Sequence, residues 1–207
     1  MHKVTLLLVL CCTFLNGCMK ANVNLDSLAK SLRSYEIGKL PFNPENPFLQ
    51  RRTIFLCGGV NFSIAQTVNE QLLYLDRQPG HEPIKLLINS GGGDGTSYMA
   101  IRNTIKSIDT PVDTINVGLC GSSAFTLHQS ATGKRYTCEG SAFIIHEGKG
   151  KPQKLVQMYI KDQEELLRTR CNVPADWLPV GKREFILSAE DALKYQIVDE
   201  IITKINF

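Results

Sequence analysis

Three short apolar runs, each released by glycine, constrain this chain more than any other feature. They are TIFLC before Gly58-Gly59, PIKLLIN before Ser90 and three glycines, and VDTINVG, which ends on Gly118. Each is rich in β-formers, which predicts strands over 53–57, 83–89 and 112–118, and most of the chain's strand runs are apolar on both faces, as in a sheet buried on both sides. Helical spacing fills the gaps. Ile64, Val68, Leu72 and Leu75 line one face of 63–78 behind Ser63 as N-cap candidate, and Met99, Ile101, Ile105 and Ile108 line 96–109. Strands over 134–138 and 142–146, a charged amphipathic helix over 154–170, and a capped helix with a last strand within 188–203 complete the series. Such alternation predicts an α/β fold with a largely parallel sheet.

In sheets of this kind, sites form where loops leave the carboxyl ends of strands. NSGGGDG (89–95) and GLCGSSA (118–124) leave two such ends, and His146 closes a third. Ser122 stands at a strand-to-helix turn, where the following amide points outward as an oxyanion donor. The glycines 91–93 lack side chains that block backbone approach, so a second donor fits there. A serine needs a base to become nucleophilic, and His146 supplies one. Each feature alone is common: Gly-Ser-Ser is a frequent N-cap, and a glycine run is a frequent turn. NSGGGDG lacks the Lys-Ser/Thr ending of a phosphate-binding loop, which disfavours nucleotides.

The 207 residues suit one domain, and 23 basic against 20 acidic residues leave a net charge of +3 without a dense basic stripe. A nucleic-acid footprint is not indicated. His2 and Lys3 precede VTLLLVLCCTFL, an apolar run of about a dozen residues, the length of a signal-peptide core rather than a membrane span. Residues 1–18 are therefore expected to direct export. LNGC (15–18) resembles a bacterial lipoprotein box, which makes Cys18 the candidate lipid attachment and the protein periplasmic or membrane-anchored. A plain signal peptide, or a buried N-terminal helix in a cytoplasmic protein, is the alternative. Residues 19–50 read as a loop-like linker and 51–207 as the main domain.

Of seven cysteines, three lie in the targeting segment. Cys57, Cys120 and Cys138 sit in or beside apolar runs and are expected as small buried hydrophobes. Cys171 leaves a disulfide open in an oxidising compartment. No metal-binding spacing and no cofactor motif is present. Lys134-Arg135 is expected as surface or inter-subunit charge, and His128 as a packing residue.

The runs RRTIFLCGGV, IKLLINSGGG, MAIRNTI, VDTINVGLCGSSAF, TGKRYTCEGSAFIIHEG and FILSAEDALKYQIVDEII occur in the order found in the Clp protease proteolytic subunit, ClpP. The chain resembles that family over about residues 50–205. The resemblance implies a ClpP/crotonase-like spiral of ββα units and peptide-bond hydrolysis by a serine triad. It also implies a homo-oligomer that acts on peptide or unfolded-protein substrates, with an AAA+ unfoldase as partner only if the protein is cytosolic. Residue by residue it places the nucleophile on Ser122, the base on His146 and the third member on Glu184, where the family has Asp. The oxyanion amides fall on Gly93 and Ser123.

Counting from the other side of the turn places the nucleophile on Gly121, because the chain is one residue short before Phe125. That register implies a catalytically inactive, R-type subunit with an assembly role. Asp191 is the alternative third member, and Glu147-Gly148 replaces the family's Gln-Pro after the histidine. The segment between His146 and Glu184 is about ten residues shorter than the family's ring-joining handle. A crotonase-fold enzyme acting on acyl-CoA is the remaining alternative.

Overall fold

The computed structural model describes residues 42–146, 153–178, 180 and 183–205. The proposed signal segment, Cys18, most of the linker and Glu147-Gly148 lie outside the described residues. The fold is α/β with a seven-stranded, mostly parallel sheet. Its order is β1 (Thr53–Cys57), β2 (Ile84–Ser90), β3 (Val112–Gly121), β4 (Arg135–Cys138) and β7 (Glu200–Ile202). Strand β5 (Ala142–His146) joins β3 in parallel, and β6 (Glu184–Ser188) joins β5 in antiparallel.

Strand β3 is longer than its sequence run because it serves two neighbours. Thr114–Asn116 pair with β4, whereas Leu119–Gly121 pair with β5. Between these halves the register against β2 slips, from Ile88↔Asn116 to Ser90↔Cys120. The Asn89 side chain fills the bulge and accepts from the Leu119 amide at 3.2 Å. A Cβ at Gly118 would lie 2.8 Å from Asn89 Oδ1, so a larger residue there would push that carboxamide aside. The bulge aims the end of β3 at β5.

Helix α1 (Pro47–Gln50) precedes β1, so the segment read as loop-like ends in a helical turn, capped by Asn46. Helix α2 (Phe62–Asp76) buries Ala65, Val68, Leu72 and Leu75, with Ile64 at the margin. Its N-cap is Asn61 and not Ser63: the Asn61 carboxamide accepts from the Ile64 amide at 3.0 Å, satisfying an otherwise orphaned donor. Helix α3 (Gly95–Ser107) is capped by Asp94 and buries Tyr98, Ile101 and Ile105. Met99 and Ile108 are only partly buried, and fully buried Tyr98 takes the place expected for Met99.

Helix α4 (Ser123–His128) is short and wholly buried. Helix α5 (Gln153–Arg170) buries Tyr159, Gln163, Leu166 and Leu167, while Met158 faces out. Helix α6 (Ala189–Lys194) starts with a capping box between Ser188 and Asp191. Strand β6 had no sequence signal, because EFILS is short and flanked by charges and helix-formers.

Two expectations are corrected. Arg135 is buried rather than a surface charge: it bonds Asp199 at 2.6 Å, Gln129 at 2.9 Å and the Arg170 carbonyl at 3.1 Å. Cys57 is exposed, because β1 is an edge strand whose Phe55–Cys57 side is uncovered in the single chain. Cys120 is buried and Cys138 half-buried, and all four described cysteines, Cys171 included, are free.

Candidate active site

Ser122 occupies the sharp turn between β3 and α4, at φ 53° and ψ −125°. A side-chain-bearing residue rarely adopts that conformation, and it persists only where the surroundings enforce it. Here they do. The Ser122 amide donates to Ile144 O of β5 at 2.9 Å, and its carbonyl accepts from the Thr126 amide at 3.2 Å. The turn thereby sets Ser122, half-buried, beside the strand that ends two residues later in His146.

The glycine run closes on the same turn. At Gly92, with φ 95°, an added Cβ would lie 2.6 Å from Gly121 O, 2.7 Å from Ser122 Cβ and 2.9 Å from Ser123 N. Only glycine permits that approach. Gly93, at φ 153°, is similarly pressed on Val60 O, 2.3 Å from its would-be Cβ. The bridge to Val60 uses the Gly92 carbonyl and the Asp94 amide on either side of Gly93. The Gly93 amide therefore makes no bond among the described residues. The Ser123 amide, at the first position of α4, lacks an intrahelical acceptor.

His146 and Glu184 are direct register partners across the antiparallel β5–β6 pair. Directly opposed residues carry their side chains on one face, with Cβ atoms about 5 Å apart. His146 is half-buried and Glu184 exposed in the single chain. Asp191 is otherwise engaged: its carboxylate accepts from the Ser188 amide at 3.4 Å and hydroxyl at 3.3 Å. His128 is fully buried, with Nε2 3.0 Å from Tyr136 O. Burial lowers its pKa to about 4, so it stays neutral and packs. Cys120 is likewise buried, and burial pushes its thiol far up, which makes it a poor nucleophile.

A family profile for Clp protease matches residues 40–176, more than half of the chain. The chain belongs to the Clp protease family. Protein substrates and oligomeric assembly are general attributes of that family, and the mostly parallel α/β sheet agrees with its ClpP/crotonase fold. Ser122, His146, Gly93 and Ser123 fall inside the match. Glu184 lies beyond it, on a strand that only the pairing with β5 brings alongside the histidine.

Sequence reasoning passed over two polar residues behind the turn, Thr126 and Tyr159, whose hydroxyls lie 3.0 Å apart. The available signal was the position of Tyr159 four residues before Gln163 on α5. A tyrosine and a glutamine one turn apart on a buried face require polar partners.

Proposed function

We propose that this Clp protease family member is a serine endopeptidase acting on peptides or unfolded proteins. In this reading Ser122 Oγ attacks the scissile carbonyl while His146 takes its proton and Glu184 accepts the imidazole N–H. The Gly93 and Ser123 amides receive the oxyanion. His146 then protonates the leaving amine, and water deacylates Ser122 with the imidazole again as base.

The observation that carries the reading is the enforced backbone of Ser122, the conformation used by nucleophiles on strand-to-helix turns. Gly121, the competing position, keeps strand geometry, and a Cβ there would press on Gly91 at 3.2 Å. That supports the Ser122 register. The opposition of His146 and Glu184, against the capping duty of Asp191, supports Glu184 as third member.

Assembly is proposed as a homo-oligomer. Export through residues 1–18, with Cys18 as lipid attachment, puts the protein in the periplasm or on its membrane. There no ATP-driven unfoldase is at hand, so substrates are peptides or already unfolded chains. A cytosolic protein would instead be free to take an AAA+ partner.

Labelling with a fluorophosphonate tests the function. Wild type is expected to label and Ser122→Ala to remain unlabelled. An assembled, unlabelled wild type that gains labelling on Gly121→Ser would establish the inactive-subunit reading instead. Turnover of crotonyl-CoA that survives Ser122→Ala would favour the acyl-CoA reading. Cell fractionation with a Cys18→Ala control tests export: unprocessed protein in the cytosol overturns it.

A further inference from the structure

We infer that Tyr159 is a positioning residue for the Ser122 nucleophile, acting from α5 through Thr126. The inference rests on the nucleophile reading above. Gln163 Nε2 donates to the Tyr159 oxygen at 3.2 Å. The Tyr159 and Thr126 hydroxyls are 3.0 Å apart, and Thr126 Oγ1 donates to the Ser122 carbonyl at 3.3 Å. Either hydroxyl can donate in the middle bond; with the Thr126 proton on Ser122 O, it runs from the Tyr159 hydroxyl to Thr126 Oγ1. A relay of donors thus runs from Gln163 through Tyr159 and Thr126 to the carbonyl of the strained residue.

Water does not compete along this relay, because Thr126 and Gln163 are 0% and Tyr159 5% exposed. Buried hydrogen bonds in series reinforce one another. The phenol is held at both ends. Its ring meets Tyr98 edge-on with centroids 5.6 Å apart, and Tyr98 is in turn tied to Asp162, which also pairs with Arg102. Burial pushes the Tyr159 pKa up against the Thr126 and Ser122 hydroxyls, which pull it down. The net rise keeps the proton on the phenol.

A peptide held at φ 53° relaxes unless something opposes it. Two donors oppose it at the Ser122 carbonyl, the Thr126 amide and the Thr126 hydroxyl, and Tyr159 fixes the second. Releasing the relay lets the turn relax and moves Oγ away from the line of attack, which slows chemistry without altering substrate contacts.

The test measures fluorophosphonate labelling rates of the full chain, with wild type and Ser122→Ala as limits. Tyr159→Phe keeps the ring against Tyr98 and removes the hydroxyl, and with it the donor to Thr126, the acceptor for Gln163 and the contact with the Ser122 hydroxyl. Thr126→Val removes the next hydroxyl at nearly constant shape, and decides alone if Tyr159→Phe fails to fold. Each is expected to slow labelling and lower kcat on a peptide about tenfold, with KM unchanged. The double variant should fall no further than the singles, as members of one relay do. Deuterium uptake across 119–128 should rise in both. Labelling at the wild-type rate, or a loss confined to KM, overturns the inference and leaves the nucleophile intact. An unlabelled wild type overturns the nucleophile reading, and unchanged deuterium uptake then overturns the clamp as well.

Discussion

A serine at φ 53° carries a backbone cost that glycine would not, and on the proposed reading the turn tolerates it at Ser122 for the sake of side-chain placement. Replacing Ser122 by Gly is therefore expected to raise stability by about 1 kcal/mol while abolishing labelling, a trade read by paired denaturation and activity assays. Gly92 is the converse case. Gly92→Ala drives a Cβ into Gly121 O and Ser123 N, and is expected to cost about 2–3 kcal/mol together with most of the activity. The carboxylates separate by assay. Glu184→Gln should lower kcat about a hundredfold with little change in melting temperature, because it removes the negative charge that holds the imidazole tautomer and stabilises the imidazolium. Asp191→Asn should lower stability by about 1 kcal/mol through the α6 capping box and leave kcat alone. The opposite pattern would transfer the third role to Asp191.

At the scale of elements, two buried polar clusters hold the strands that frame the site. Arg135 on β4 reaches Asp199 at the approach to β7, with side-chain exposures of 7% and 37%. Asp199→Ala would strand a buried guanidinium, at an expected cost of about 3 kcal/mol in chemical denaturation. Burial raises the Asp199 carboxyl, but hydrogen bonds from Arg135 outweigh it and hold the pKa below the usual range. His128 gives the fold a second acid sensitivity. Burial lowers its pKa from 6.5 to about 4, partly offset by the bond to Tyr136 O. The unfolded chain takes up that proton at a higher pH than the folded one. Stability is therefore full above about pH 6.5 and falls as pH drops toward about 4, by about 3 kcal/mol. Denaturation midpoints at pH 7.5 and 5 should show the loss, and His128→Gln should flatten it.

Over the whole molecule, family membership and fold stand together, and the sequence reached both because their signals are local. Strand runs released by glycine, helices of matching period and a Gly-Ser-Ser turn are written within single segments. They announced the parallel sheet and the three strand ends that meet at Ser122. What sequence misjudged was decided by partners far away in the chain. Strand β6 exists because β5 offers it an edge, and Glu184 faces His146 through that pairing alone. Arg135 is buried because Asp199 and the end of α5 cover it, whereas Cys57 is exposed because the face of β1 that it shares with Phe55 is left open among the described residues. The proposed Ser122 register leans on the same kind of contact: composition made both Gly121 and Ser122 eligible for the turn, and the hydrogen bond from the Ser122 amide to Ile144 O, on a strand distant in sequence, bends the chain at the serine. The sequence by itself determined the fold class and the residue types at the site. Tertiary structure decided which of them meet, because register and burial are properties of pairs of segments, not of either one.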